Sequence, residues 1–395
     1  MPALKLIASA ILHINGKANS TNNLKTTDMA ESLELSAQGV KTGVLEEMSN
    51  MEHEQVVFCH DKHTGLKAII AIHNTVLGPS LGGTRMWNYQ NEYEALHDVL
   101  RLSRGMTYKA AISGLNLGGG KAVIIGDSYN DKSEALFRRF GRFVDSLGGK
   151  YITAEDVGIS PKDIEFVHME TNHVSGLPES MGGSGDPSPV TAYGVYVGMK
   201  ACANYAYGND SLKGKKVLVQ GVGHVGEYLV DHLTKEGAVV TITDINEQRL
   251  KEVSDKYKSN VVLGDEVYDL DMDIYAPCAL GATVNSNTMD RLKCQIIAGA
   301  ANNQLEDENL HGKMLMDKGL VYAPDFLINA GGLISVNAEV YDLNYERTME
   351  MAAKIYDSTL NILKYSEANK IPTAQAALQL AKSRIDQISK VKTGR

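Results

Sequence analysis

Apolar positions in the first half of the chain come in short blocks that change period several times. Residues 55-QVVFC-59 and 66-LKAIIAIHN-74 are rich in β-formers and separated by DKHTG, which predicts a hairpin with a glycine-containing loop. A helical period follows in 93-YEALHDVLRLSRGM-106, where Leu96, Val99, Leu100 and Leu102 recur and Gly105 is the expected stop. Residues 122-AVII-125 read as a short buried strand. Asp131 is the expected cap of a helix over 132–147, with Leu136, Phe140, Phe143, Val144 and Leu147 on one face. Residues 151-YIT-153 form another strand that runs into 154-AEDVG-158. Ordered structure is expected from about Val44.

The stretch 182-GGSGDPSP-189 is the strongest break and divides residues 41–184 from residues 185–339. Beyond it helix and strand alternate: a helix over 191–207, strand 216-KVLVQ-220, a helix from about Val222, and strand 239-VVTITD-244. Further strands read at 273–276, 295–299 and 320–323. That alternation predicts a parallel sheet. From Glu339 two amphipathic helices finish the chain, one with Ala352, Ile355, Thr359 and Leu363 on a face, the other with Leu378, Ala381, Ile385 and Ile388. They are expected to pack back on the first domain. The expected fold class is α/β, with two domains and a cleft between them.

Composition narrows the function. A chain of 395 residues with 43% hydrophobic content supports two cores. The net charge of −9 is spread without blocks, which argues against nucleic acid or an anionic membrane surface as partner. No apolar run reaches the roughly 20 residues a membrane helix needs. Cys59, Cys202, Cys278 and Cys294 show no paired spacing and read as free thiols of a cytoplasmic protein. Residues 1–40 read as a flexible extension, because LIASAILHI is short for a signal peptide and no small-residue cleavage site follows it. His53, Cys59, His60 and His63 straddle the hairpin at no ligand spacing, so no metal is expected.

Two sets of residues carry candidate chemistry. In 221-GVGHVG-226, Gly221 permits a tight turn, Gly223 lets backbone approach a pyrophosphate, and Gly226 lets helix pack on strand. The backbone of Val222, His224 and Val225 completes the turn at a helix start, where free N–H groups favour an anion. The next strand ends in Asp244, placed to bind both ribose hydroxyls and to repel a 2′-phosphate. NAD is therefore expected rather than NADP. The first domain offers Lys109 in 105-GMTYK-109, Lys121 behind the glycines of 115-LNLGGGK-121, and Asp156 in 154-AED-156. No Ser or Thr follows Lys121, so the phosphate-loop pattern is not met. A lysine in apolar company is costly unless it works, because desolvation or a second cation makes it a usable base. Each of the three is expected where a regular element meets a glycine-containing loop, with Lys121 on a mobile glycine leash.

The segments LGPSLGGTRMW (77–87), GMTYK, GLNLGGGK, YITAEDVG, PSPVTAYG, GVGHVG, TDIN, APCALGA, GAANNQL and INAGG occur in this order. Together they resemble the family of glutamate, leucine, phenylalanine and valine dehydrogenases, and most of all its leucine branch. The resemblance implies NAD-dependent, reversible oxidative deamination of branched-chain L-amino acids, with phenylalanine or valine dehydrogenase as the alternative. It implies that Lys109 holds the α-carboxylate, that Lys121 activates water, and that Asp156 handles the proton on the substrate nitrogen. It places Leu81, Gly82, Ala154, Leu333 and Val336 at the substrate side chain, and Ser188, Thr191 and Asn303 around nicotinamide and ribose. It also implies a homo-oligomer, octameric or otherwise built from dimers. A retired enzyme kept as an NAD-binding sensor would be expected to lack Lys109, Lys121 or Asp156, and all three are present.

Overall fold

The computed structural model describes residues 43–279 and 281–393, so the extension expected at 1–40 lies outside the described residues. Helix α1 (Val44–Asn50) belongs to a first unit, and a second unit begins at Met51. Within the second unit the chain builds two sheets.

The first sheet has β1 (Gln55–Asp61), β2 (Leu66–Asn74), β3 (Ser80–Trp87), β4 (Gly118–Ile125) and β5 (Tyr151–Glu155), in the order β1-β2-β4-β3-β5. The expected hairpin is β1–β2. The β2–β4 pair is also antiparallel, whereas β3 lies parallel to both β4 and β5. One face packs Ile70, Ile72, Met86, Ile124, Phe137 and Phe140 into a core.

Three expectations are corrected here. Helix α2 (Glu92–Ile112) runs through Gly105, so Lys109 stands in its last turn and not at a helix-to-loop junction. An interior glycine costs about 1 kcal/mol relative to alanine. Burial of Thr107, Tyr108, Ala110 and Ala111 beyond it offsets that cost, and the chain turns at Gly114, with φ of +74°. Helix α3 (Glu134–Asp145) is capped by Ser133, whose Oγ accepts the Leu136 N–H at 3.2 Å; Asp131 instead accepts the Asp127 N–H. Third, the glycines before Lys121 are not a loop. They open β4, the middle strand of the sheet, and all three are buried.

That glycine strand is close-packed. A Cβ on Gly118 would stand 2.0 Å from the Asn74 carbonyl oxygen, and one on Gly119 would stand 2.1 Å from Thr107 Oγ1. On the neighbouring strand, a Cβ on Gly82 would meet the Gly120 carbonyl oxygen at 1.8 Å. Glycine here allows backbone to approach backbone, and Lys121 is held rigidly as a result.

After α4 (Pro161–His168) and α5 (Ser188–Tyr207) comes the second sheet: β6 (Lys216–Gln220), β7 (Val239–Thr243), β8 (Asn260–Val261), β9 (Ile274–Pro277), β10 (Ile296–Ile297) and β11 (Val321–Tyr322). Its order is β11-β10-β9-β6-β7-β8 and every pair is parallel. Helices α6 (His224–Glu236), α7 (Glu247–Tyr257) and α8 (Glu308–Asp317) serve as crossovers. From β6 the chain moves outward to β7 and β8, then returns to place β9 on the other side, which makes the β6 end a topological switch point.

Helices α9 (Asp325–Ile328) and α10 (Gly331–Val340) lead to α11 (Tyr345–Ala353), α12 (Ile355–Asn369) and α13 (Thr373–Thr393). The two terminal helices expected are thus three, because the chain breaks at Lys354 between Ala352 and Ile355 of the predicted single face. Ala381 and Ile385 of α13 pack on Tyr108 and Ala111 of α2. Arg384 Nη1 donates to the carbonyls of Ala111 (3.0 Å) and Leu115 (2.7 Å).

Candidate active site

Adjacent strands β4, β3 and β5 deliver three charged side chains to one place. Lys121 on β4 reaches Asp156, one residue past β5, with Nζ 2.8 Å from Oδ2. Arg85 on β3 reaches the same oxygen through Nε at 3.2 Å. Lys121 is 7% exposed, and burial lowers its pKa from the ordinary lysine value although Asp156 opposes the shift. Burial pushes the Asp156 carboxyl up, but the Lys121 and Arg85 cations outweigh it and leave the group below the usual carboxylate value. Gly83 makes room for this arrangement, since a Cβ there would lie 3.0 Å from Asp156 Cβ and 2.3 Å from the Glu155 carbonyl oxygen.

Lys109 approaches from α2. Its Nζ donates to Asn329 Oδ1 at 2.7 Å, and Asn329 Nδ2 donates to the Ala300 carbonyl (3.1 Å) and to Asn302 Oδ1 (2.7 Å). Burial brings its pKa down to about 8, with Asp325 opposing and Lys121 adding to the fall. Lys109 thus senses the charge of Lys121. A partly desolvated pair of ammonium groups is suited to an anion for one member and to proton transfer for the other.

The apolar residues expected at the substrate side chain fall as follows. Leu81 and Leu333 are 2% and 6% exposed and share a core cluster with the half-buried Val336. Ala154 lies opposite Gly83 in the β3–β5 register, and Gly82 opposite Thr153. Leu333 and Val336 both belong to α10. The same helix carries Glu339, whose carboxylate accepts the N–H groups of Gly176 (3.0 Å), Leu177 (3.4 Å) and Ser184 (3.2 Å), pinning the segment before α5.

At the β6 end, Gly221 has φ of +100°, and a Cβ on Gly226 would stand 2.0 Å from the Gly221 carbonyl oxygen. Nothing lies within 4 Å of a Cβ built on Gly223, so the turn is open on the side a ligand would approach. Val222 is fully buried and Val225 packs on the core, which leaves their backbone as the part facing the turn. Asp244 Oδ2 accepts the Val222 N–H at 2.7 Å, so the carboxylate stands at the mouth of the turn. Arg249, a cation beside the turn, is engaged by Glu227 and by the Val222 carbonyl. Together these residues fit a dinucleotide with free ribose hydroxyls and leave no unclaimed arginine for a 2′-phosphate. His224 is exposed and lies 3.9 Å from Asp186 through Nδ1.

Ser188 and Thr191 sit in the first turn of α5, where Thr191 backbone closely approaches Gly331: a Cβ on that glycine would be 2.4 Å from Thr191 Cα. Asn303 adopts a left-handed conformation, with φ of +50°, and lines a cavity of about 800 Å³ with Arg104, Glu308 and Asp325. Sequence reasoning missed Arg85, Asn329, Asp325 and Glu339. Arg85 lies inside a quoted motif, and recognising 80-SLGGTRMW-87 as a strand beside β4 would have brought it to notice.

The family model for the Glu/Leu/Phe/Val dehydrogenase dimerisation domain matches residues 53–173, and that for glutamate/leucine/phenylalanine/valine dehydrogenase matches 182–248 and 242–393. A leucine dehydrogenase of Thermoactinomyces intermedius is 53% identical over 89% of this chain and 95% of its own. A phenylalanine dehydrogenase of Bacillus thermotolerans is 48% identical over 87% and 92%. Among solved structures, L-tryptophan dehydrogenase from Nostoc punctiforme superposes with a TM-score of 0.81 at 45% identity, covering 88% of this chain and all of that one. With a lysine–aspartate pair on the first sheet, a dinucleotide turn on the second and matches along both, the chain belongs to the glutamate/leucine/phenylalanine/valine dehydrogenase family.

Proposed function

We propose that this enzyme catalyses the reversible, NAD-dependent oxidative deamination of branched-chain L-amino acids, L-leucine together with valine and isoleucine, to 2-oxo acids and ammonia. The observation that carries the reading is the buried Lys121–Asp156 pair at 2.8 Å, with the Lys121 charge adding to the burial that lowers the proton affinity of Lys109. NAD, when bound, supplies the acceptor for the hydride on the substrate Cα. The turn of residues 221–226 and Asp244 would hold its pyrophosphate and ribose, with Ser188, Thr191 and Asn303 near the nicotinamide end.

The chain's own residues do the rest. Lys109 fixes the α-carboxylate, exchanging Asn329 for the substrate oxygens, and so orients the Cα. Asp156 takes a proton from the substrate ammonium, which frees the nitrogen lone pair. Once the iminium carbon exists, Lys121 takes a proton from water as the C–O bond forms. Asp156 then returns its proton to nitrogen, and as the C–N bond breaks and ammonia leaves, the carbinolamine hydroxyl gives its proton to the freed Asp156 carboxylate and becomes the carbonyl of the 2-oxo acid. Leu81, Gly82, Ala154, Leu333 and Val336 form an apolar pocket for the side chain, without a cation to pair a second carboxylate. Leu81 and Leu333 suit a branched aliphatic group better than an aromatic ring.

We assign residues 41–184 to the substrate domain, 185–339 to the NAD-binding domain, and the helices from 340 to a return toward the first. Among the described residues no helix is long and apolar enough to cross a membrane. We place the enzyme in the cytoplasm as a homo-oligomer, octameric or otherwise dimer-based. Its expected partners are the amino acid, the oxo acid and ammonia.

The test is steady-state kinetics on a panel of amino acids. Leucine, isoleucine and valine are expected to give the highest kcat/KM, phenylalanine a lower value, and glutamate none of note. Phenylalanine at the top would reassign the pocket to the aromatic branch. For the cofactor, NAD is expected to exceed NADP by orders of magnitude, and Asp244→Ala to narrow that gap, because the carboxylate repels the 2′-phosphate. Equal efficiency of the two cofactors in the parent enzyme would refute the role of Asp244.

A further inference from the structure

We propose that Arg85 is a positioning residue of this reaction: it holds Asp156 in place and supplies a permanent positive charge beside it while Lys121 changes protonation state. This inference rests on the reading of Lys121 and Asp156 given above. The geometry that carries it is a chain of ion pairs behind the site. Asp156 Oδ2 is shared by Lys121 Nζ (2.8 Å) and Arg85 Nε (3.2 Å). Arg85 is itself gripped from the far side, with Nη1 2.9 Å from Asp98 Oδ2. Asp98 is fixed in turn by the Tyr89 hydroxyl at 2.8 Å and by Arg101 Nη2 at 3.0 Å. The guanidinium therefore bridges two carboxylates from different parts of the fold, one just past β5 and one on α2, using two edges of its planar fork. Lysine, a point charge, cannot reproduce that bridge.

The chemical need follows from the proton inventory. A base at Lys121 must become neutral to act, and at that moment Asp156 would lose its partner in a site where burial already favours the neutral acid. Two titrating groups alone would then behave as one coupled pair, with the proton shared between them. Arginine does not titrate in this range. With Arg85 present, Asp156 keeps a cation throughout and remains able to take a proton from the substrate. The same charge also lowers the proton affinity of Lys121.

The charged and titratable groups around this arrangement are Lys121 on β4, Glu155 and Tyr151 on β5, and Glu94, His97, Asp98 and Arg101 on α2. Tyr89 follows β3, and Lys109 lies further off, where it feels the charge of Lys121. On its outer side Arg85 borders a cavity of about 490 Å³ shared with Trp87, Tyr89, His97 and Val157.

The experiment compares Arg85→Gln, Arg85→Lys and Lys121→Ala by kcat and KM across pH, with NAD binding followed by fluorescence titration. Arg85→Gln is expected to lower kcat on the order of 10–10²-fold, for loss of an aligned charge-assisted contact. Its rising pH limb should move to more alkaline pH, while NAD affinity and the amino-acid KM change little. Arg85→Lys is expected to keep the limb near its parental position, because the charge remains, and still to lose kcat because the fork is gone. A merely structural role would move neither limb. Parental kcat and an unmoved limb in Arg85→Gln would overturn the proposal. Should that variant fail to fold, parental kcat in Arg85→Lys would overturn it. If Lys121→Ala itself kept parental kcat and profile, the underlying reading would fall. Collapse of Lys121→Ala beside a parental Arg85→Gln would remove Arg85 alone.

Discussion

Lys121→Ala is expected to lower kcat by on the order of 10²–10⁴-fold, the usual loss on removing a general base, while NAD binds as before. The separation is expected because Lys121 is anchored in the first sheet and the dinucleotide turn in the second. The sign of the pH effect follows from the shift at this lysine. Burial lowers its pKa, with Asp156 opposing, so the neutral amine is reached at a lower pH than for a free lysine. Deamination should rise with pH through the apparent pKa of the coupled group, and the variant should lose that limb. An added primary amine should restore part of the rate. Near-parental kcat with an unchanged profile would show that another group activates water.

Lys109→Ala should act on the other kinetic constant. Removing a desolvated cation that anchors a carboxylate leaves the anion without its partner, and KM for the amino acid is expected to rise on the order of 10²-fold. A smaller loss of kcat should accompany it as orientation is lost. Amine addition should help this variant less than Lys121→Ala, because the anchor must be aimed as well as charged. With its pKa brought down to about 8, Lys109 is cationic below that region and loses its charge above it. The two lysines therefore impose opposite demands, one to be neutral and one to be charged. In the parent, kcat/KM should rise and then fall with pH, the falling limb reporting the free enzyme. A KM for Lys109→Ala within twofold of the parent would remove the residue from carboxylate binding.

The sequence exposed the second sheet more readily than the first. Strand 216–220 and the turn after it are specified by local chemistry: an apolar run, three glycines at fixed offsets, and a helix start. Such signals need no distant partner. In the first sheet, Gly105 was misleading as a stop because its cost of about 1 kcal/mol is small beside the burial of Tyr108 and Ala111. The glycines at 118–120 were misleading for a related reason. Glycine signals a loop when judged by its backbone entropy, yet here it records crowding by Asn74, Thr107 and Tyr151, residues remote in the chain. Arg85 was hidden for want of β3. Its partners Asp98 and Asp156 come from α2 and the end of β5, and only the sheet order brings them together.

The crowding around β3 and β4 also decides where the specificity of this enzyme can be redesigned. Randomising Gly82, Gly119 or Gly120 would place side-chain atoms at 1.8 to 2.7 Å from carbonyl oxygens, a hydroxyl or the Tyr151 ring, so a library built there would consist largely of misfolded clones. The other wall of the proposed pocket is a helix face. Leu333 and Val336, the pocket residues proposed on α10, stand in regular helix, and volume can be traded between them one methylene at a time. Useful diversity is one-sided: a small paired library at 333 and 336, with Glu339 left intact to keep the helix pinned to residues 176–184, samples new acyl side chains without touching the floor that carries the chemistry.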